Sequence, residues 1–200
     1  MNVDPLLERL RTELAGRTQP FFVGLDGRSG AGKSTLAQLV VDELGDDAVT
    51  VIEGDEFYAG GSGATWDEKS AEEKAANVMD WRRQLHVLGT LRSDGTAVWF
   101  PFDWEAEDWD SDEACLASTP NRTSARPIVM LEGAYSSRPE LHAALDLTVL
   151  LDPPAEVRRA QLLAREGDEY RNEWEHRWSA AEDHYFGVIM PPARFDLVLR

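Results

Sequence analysis

The stretch GRSGAGKS at Gly27–Ser34 sets Gly27 and Gly32 at the Walker A spacing and follows them with Lys33 and Ser34. Each residue type has a task in holding a polyphosphate. The glycines let the backbone wrap the phosphates so that several N–H groups point inward. The helix that starts at the end of the loop adds its positive end. Lys33 reaches the β and γ phosphates, and the Ser34 hydroxyl is a ligand for Mg²⁺. Gly27, Ser29, Gly30, Ala31, Gly32, Lys33, Ser34 and Thr35 are the expected nucleotide contacts, with ATP and Mg²⁺ as cofactors.

Other motifs narrow the chemistry. No Asn-Lys-x-Asp guanine-reading motif and no Leu-Ser-Gly-Gly transport signature occurs in the chain. A kinase needs a base for its acceptor hydroxyl, and Asp55, closing an apolar run, is placed for that role. Glu132 ends another apolar run just before Gly133, at the edge of a parallel sheet where a carboxylate holds Mg²⁺ directly or through water. Arg158, Arg159, Arg165 and Arg171 gather around a predicted helix–turn–helix in a chain otherwise short of positive charge. Guanidiniums on such a lid stabilise the charge spread over a transferring phosphoryl group, and Arg165 is the preferred member. Lys33, Asp55 and Arg165 are the expected catalytic residues; Ser34, Asp55 and Glu132 are the expected metal site.

Periodicity supplies the elements that must position these groups. Leu6, Leu7, Leu10 and Leu14 share one helical face, closed by Gly16. The run Pro20–Asp26 reads as a buried strand, Gly27–Gly32 as a loop and Lys33–Leu44 as a helix stopped by Gly45. Val49–Glu53 is a second strand, and Gly60–Gly63 a flexible loop. Helical spacing follows at Asp67–Ala76 and Asp80–Leu91, while Ala97–Glu113, acidic and rich in tryptophan, fits no pattern. Pro127–Glu132 and Leu145–Leu151 are further strands. Helices near Pro154–Arg165 and Asn172–Tyr185 flank the turn Arg165–Arg171, and Phe195–Leu199 is a last strand. Strands alternating with helices give an α/β fold with a parallel sheet covered on both faces.

The chain has 200 residues, of which 42% are hydrophobic, enough for one α/β domain with a small lid. Its formal charge is −17, from 37 acidic residues against 20 Lys and Arg, a balance that repels nucleic acid. No apolar run approaches the roughly 20 residues of a membrane span. The N-terminal segment lacks the apolar region of a signal peptide. Cys115 is the lone cysteine, and the expected compartment is the cytoplasm.

Together these residues resemble the uridine kinase-like branch of the P-loop kinases, from about Phe21 to Leu199. The carrying motifs are GRSGAGKST at Gly27–Thr35, GDEFY at Gly54–Tyr58, FPFDW at Phe100–Trp104 and VMLEGAY at Val129–Tyr135, with the Arg158–Arg165 helix and PPARFDLVL at Pro191–Leu199. The resemblance implies a five-stranded parallel sheet in the order 2-3-1-4-5, with the P-loop strand central, a lid at about 158–178 and a substrate-side insertion at about 56–113. It implies that Asp55 activates the acceptor, that Arg158 lies near it, and that Phe57 and Tyr58 lie near its pocket. Asp80 stands near the position of the family's His-Pro-Asp segment. Phe102, Trp104 and Glu107 fall in or just after the aromatic-Asp-aromatic motif.

The chain also departs from that pattern. Glu107 replaces a base-contacting histidine, Phe102 a tyrosine, and Gln161 a common lid arginine. The segment Phe102–Asp110 offers aromatic and acidic groups suited to a cation or a polyhydroxylated amine. The expected partner is a small-molecule hydroxyl acceptor, a nucleoside first. A sugar, an amino sugar or an antibiotic-like alcohol is the alternative, and a nucleotide-dependent regulatory module without transfer chemistry is the rival from another class. A homo-oligomer is left open.

Overall fold

The structure is a computed structural model that describes residues 3–106, 110–111, 115–167 and 174–200. Five parallel strands form the central sheet: β1 (Phe21–Asp26), β2 (Val49–Glu53), β5 (Ile128–Glu132), β6 (Leu147–Leu151) and β7 (Leu197–Leu199). Their spatial order is β2-β5-β1-β6-β7, which puts the P-loop strand β1 at the centre. Numbered among the parallel strands alone, this is 2-3-1-4-5.

Every residue of β1 is buried, as a strand covered on both faces requires. Alternation then divides its side chains. Phe21, Val23 and Leu25 pack with Leu6 and Leu10 of α1 (Asp4–Gly16) and with Leu36 and Val40 of α2 (Lys33–Leu44). Phe22 points the other way, towards Val87, Leu88 and Leu91 of the later helix α5 (Trp81–Asp94). Between them, Gly24 has no room for a side chain: a Cβ there would lie 2.7 Å from Ser137 Oγ. A third cluster is aromatic, with Tyr58, Trp66, Trp178, Tyr185 and Phe186.

The segment after β2 differs from its sequence pattern. The helix expected over Asp67–Ala76 is two helices, α3 (Gly63–Asp67) and α4 (Ala71–Asn77). Ser70 starts the second with a capping box. Its hydroxyl accepts from Glu73 N–H at 3.2 Å, and Glu73 accepts from Ser70 N–H at 2.8 Å. Ser62 caps α3 by accepting from Thr65 N–H at 3.2 Å, so the expected loop Gly60–Gly63 ends inside a helix.

The stretch without a sequence pattern begins with a strand. β3 (Thr96–Trp99) pairs antiparallel with β4 (Asn121–Ser124), a polar strand, NRTS, that carries no hydrophobic alternation. One carboxylate fastens this hairpin to the sheet edge. Glu56 accepts from Trp99 Nε1 at 2.6 Å and from Asn121 Nδ2 at 2.7 Å, and those two residues are register partners.

Helices α6 (Ala155–Glu166) and α7 (Trp174–His184) flank the expected lid turn; Arg171 lies outside the described residues. The helix path continues as a π-turn over Tyr185–Ile189. Among the described residues, no helix is long and apolar enough to cross a membrane.

Candidate active site

The C-terminal ends of β1, β2 and β5 bring Asp26, Glu53 and Glu132 to one edge of the sheet, where Glu132 is the register partner of both Leu25 and Glu53. The loop after β1 turns through Gly30, at φ 71°, and Gly32, at φ 90°, into α2. Gly30 meets two requirements at once. Its backbone is left-handed, and a Cβ there would sit 2.6 Å from both the Arg158 carbonyl oxygen and Leu162 Cγ of α6. The loop and the first lid helix are therefore in direct contact.

Lys33 Nζ donates to the Arg28 carbonyl at 3.3 Å, holding the ammonium over the loop. Ser34 Oγ donates to Glu132 Oε1 at 3.0 Å. Burial pushes the Glu132 carboxyl above its ordinary range; Lys33 pulls it down, and Asp55 pushes it up again. Ammonium, hydroxyl and two carboxylates thus act on one another at the loop's mouth. Asp55 is exposed in the 3₁₀ turn Gly54–Phe57, directly after β2, and Trp104 Nε1 donates to its carbonyl at 3.3 Å.

These groups line a cleft of about 1040 Å³. Ser29, Gly30 and Gly32–Thr35 form one end, and Gln161, Leu162 and Arg165 of α6 overhang it. The other end is lined by Glu53, Asp55, Glu56, Tyr58, Val78, Met79, Trp104 and Trp178. Glu132, Tyr135 and Glu182 also line the cleft. Its size lies at the top of the roughly 300–1,000 Å³ of single-ligand sites, which gives room for a nucleotide and an acceptor together.

Several residues expected at the cleft stand off its wall. Phe57 is buried in the core, stacked on Trp99 with ring centroids 6.1 Å apart. Asp80 caps α5, accepting from Arg83 N–H at 3.2 Å. Phe102 is buried behind the wall, its ring edge-on to Tyr58 at 4.9 Å and to Trp104 at 4.7 Å. Arg158 faces a separate cavity of about 110 Å³ between the loop, α6 and α7. Gly27 and Ala31 shape the loop without lining the cleft. Gly27 packs so closely on β6 that a Cβ would be 2.6 Å from the Leu151 carbonyl oxygen. Glu107 lies outside the described residues.

The sequence reading missed three residues here. Asp26 is fully buried and accepts from the N–H groups of Gly27, Tyr135 and Ser137 and from the Tyr185 hydroxyl, all at 2.8–2.9 Å. It ties the start of the phosphate loop to the turn after β5. An acid ending the apolar run FFVGLD was the available signal. Tyr135 is buried with a left-handed backbone, φ 67°, and closes the VMLEGAY motif. Glu182 of α7 accepts from Ser29 across a gap of 153 positions. Nothing local marks it.

Among the described residues there is no cluster of three or more His, Cys, Asp or Glu that could hold a metal. The Ser34–Glu132 pair with Asp55 nearby still fits Mg²⁺, which takes one or two carboxylates and completes its shell with phosphate oxygens and water.

No protein-family model matches the chain. It is similar to the uridine kinase of Clostridium novyi, at 25% identity over 175 residues, which are 86% of this chain and 79% of that protein. A solved structure of a possible uridine kinase from Bacillus stearothermophilus superposes with a TM-score of 0.69 at 22% identity, over the whole of both chains. A putative fructose transport system kinase from Silicibacter sp. TM1040 reaches the same TM-score, 0.69, at 18% identity, again over both whole chains. The fold is that of the P-loop kinases.

Proposed function

We propose that the chain is a uridine kinase-like phosphotransferase, which moves the γ-phosphoryl group of ATP, with Mg²⁺, to a hydroxyl of a small molecule, a nucleoside first. One observation carries this reading: a single cleft is lined by the phosphate loop at one end and by an exposed carboxylate, Asp55, with aromatic side chains at the other. A nucleotide-dependent regulatory module would need the loop alone.

The roles follow from position. Loop N–H groups and Lys33 hold the phosphates, Ser34 and Glu132 hold the metal, and Mg²⁺ when bound neutralises charge on the phosphate oxygens. Asp55 accepts the proton that the acceptor hydroxyl gives up as its oxygen bonds to the γ-phosphorus and the bond to the bridging oxygen breaks. Arg165 overhangs the loop and offsets charge on the transferring group. Tyr58 and Trp104, stacked at 4.9 Å, form an acceptor wall.

A second reading, a hydroxylated metabolite bearing an ammonium, draws on the acceptor end itself. Glu53, Asp55 and Glu56 stand there beside aromatic faces, while Phe102 offers no hydroxyl to a pyrimidine. A screen of nucleosides, sugars and amino alcohols with MgATP, read by the mass of the product, tests both readings. A gain of one phosphoryl group on a nucleoside supports the first, and on an amino alcohol or amino sugar the second. ATP turnover indifferent to every acceptor would reject the kinase.

A further inference from the structure

The end of α7 and the π-turn after it grip the end of β1 and the phosphate loop at three points. The Tyr185 hydroxyl bonds Asp26 at 2.8 Å, Asp183 pairs with Arg28 at 2.6 Å, and Glu182 holds Ser29. The third grip differs from the other two because it lies in the cleft. Glu182 is only 6% exposed, and a single oxygen, Oε1, accepts from Ser29 N–H at 2.8 Å and from the Ser29 hydroxyl at 2.6 Å. A loop of this type offers such donors to phosphate oxygens. A carboxylate that takes them carries the same sign of charge as the phosphates.

A second observation lies in the same cleft wall: Tyr135 lines the cleft with Glu182, and its ring packs edge-on at 4.7 Å against Tyr185, three residues after Glu182. The Tyr135 hydroxyl is buried and has no hydrogen-bond partner among the described residues. Burial raises its phenol well above the ordinary range, and Glu182 is the charge that raises it furthest. Buried donors in folded proteins are nearly always satisfied. The backbone at Tyr135 is also left-handed, a conformation that costs a non-glycine residue free energy and concentrates at functional sites. Ser29 and Tyr135 therefore act on one carboxylate, the first bonded to it and the second not.

We propose that Glu182 is a positioning residue that restrains the Ser29 rim of the phosphate loop in the absence of nucleotide, and that phosphate entering the loop transfers its carboxylate from Ser29 to the Tyr135 hydroxyl. Ser29 then gives its donors to the phosphate, and the Tyr135 hydroxyl gains a partner. No covalent bond changes and no net charge moves. Because Glu182 sits near the end of α7, the helix that follows the expected lid turn, the exchange carries loop occupancy to that helix.

This inference rests on the nucleotide reading of the loop, and its test separates the two. MgATP binding is measured by calorimetry without acceptor on the wild type, Glu182→Gln, Tyr135→Phe and the double variant, with melting temperatures of the ligand-free proteins. Glu182→Gln keeps an acceptor for Ser29 but loses the charge, and should bind MgATP tighter by on the order of tenfold, the scale of one close like-charge contact partly screened by solvent. Tyr135→Phe should weaken binding several-fold yet leave the ligand-free melting temperature unchanged, since no hydrogen bond is lost. In the Glu182→Gln background, where the acceptor carries no charge for phosphate to displace, the Tyr135→Phe effect should be clearly smaller than in the wild type. Glu182→Asp, which withdraws the carboxylate, should also tighten binding and serves if the Gln variant does not fold. Unchanged or weaker binding by both Glu182 variants, or an equal Tyr135→Phe effect in both backgrounds, would overturn the exchange. Failure of the wild type to bind MgATP would instead reject the nucleotide reading, and this inference with it.

Discussion

The two ends of the cleft are built by opposite means. At the nucleotide end, a contiguous stretch, Gly27–Thr35, carries backbone donors, a cation and a hydroxyl in one turn between β1 and α2. At the acceptor end, Glu53, Asp55, Glu56, Tyr58, Val78, Met79, Trp104 and Trp178 come from separate elements and meet only when the hairpin and α7 have docked. Backbone chemistry is local and tolerates little change, because Gly30 needs both its dihedrals and its space, and Gly32 its left-handed dihedrals. A wall of side chains is a product of tertiary packing and can be re-cut to suit a new substrate while the loop stays fixed. The phosphate loop is therefore the constrained half of this design, and the side-chain wall the adjustable half.

The sharpest way to break this comparison is at Asp55, where the two ends meet. Asp55→Asn keeps the shape but cannot take a proton, so kcat should fall by about 10²- to 10⁴-fold. Calorimetry should still find MgATP binding near the wild-type value. Loss of that binding would move Asp55 into the metal site of the nucleotide end. Full activity would remove it from both.

Lys33→Ala tests the nucleotide end alone. Turnover should drop by on the order of 10²- to 10³-fold, as when one preorganised charge is removed from a transition state. The acceptor's KM should barely move, because Lys33 projects over the loop towards Arg28 rather than towards Tyr58 and Trp104. A matching rise in acceptor KM would mean that the two ends are not separable.

Legibility in the sequence divides along the same line. The strands of the sheet, α2 and the loop were readable because short apolar runs and glycine spacing encode them locally. Asp55 and Glu132 were readable as acids ending such runs. The hairpin was not, since β4 is NRTS and its attachment depends on Glu56 reaching Trp99 and Asn121. The split between α3 and α4 turned on the Ser70 capping box, which the longer helical spacing concealed. Phe57 and Asp80 show the limit from the other side: the motif that contains Phe57, and the segment near Asp80, lead to the site, yet one side chain packs into the core and the other caps a helix. Glu182 and Tyr135 depend on contacts between distant segments, which no local pattern announces.

A smaller effect sharpens the acceptor end. Trp104 is 37% exposed in the cleft wall, stacked on Tyr58 and braced from behind by Phe102. Trp104→Ala should raise the acceptor's KM by roughly tenfold, the scale of one aromatic contact beyond area burial. The KM for ATP should stay constant in the same assays. A parallel rise in both constants would show that the wall also supports the loop.

The smallest effect belongs to Asp26, which belongs to neither end but sits beneath the nucleotide end. Two influences oppose each other there. Complete burial disfavours the carboxylate, while three backbone N–H groups, the Tyr185 hydroxyl and Lys33 favour it. Burial wins, and the carboxyl is pushed up to about 6. A carboxyl raised in the folded state holds its proton more tightly there than in the unfolded chain, so its contribution to stability is largest at low pH and is lost as pH rises towards and through about 6. Between pH 5 and pH 7 the loss amounts to about 1.3 kcal/mol. Asp26→Asn has no proton to exchange, so subtracting its unfolding free energy from that of the wild type cancels the other titrating groups. The difference should shift in favour of the wild type by about that amount as pH falls from about 7 to about 5. The variant itself should be less stable at both values, because an amide NH₂ would face backbone N–H donors. A difference that moves the opposite way with pH would mean that the donors outweigh burial. Asp26 would then be a charged anchor at neutral pH, gripping Gly27 more firmly as pH rises.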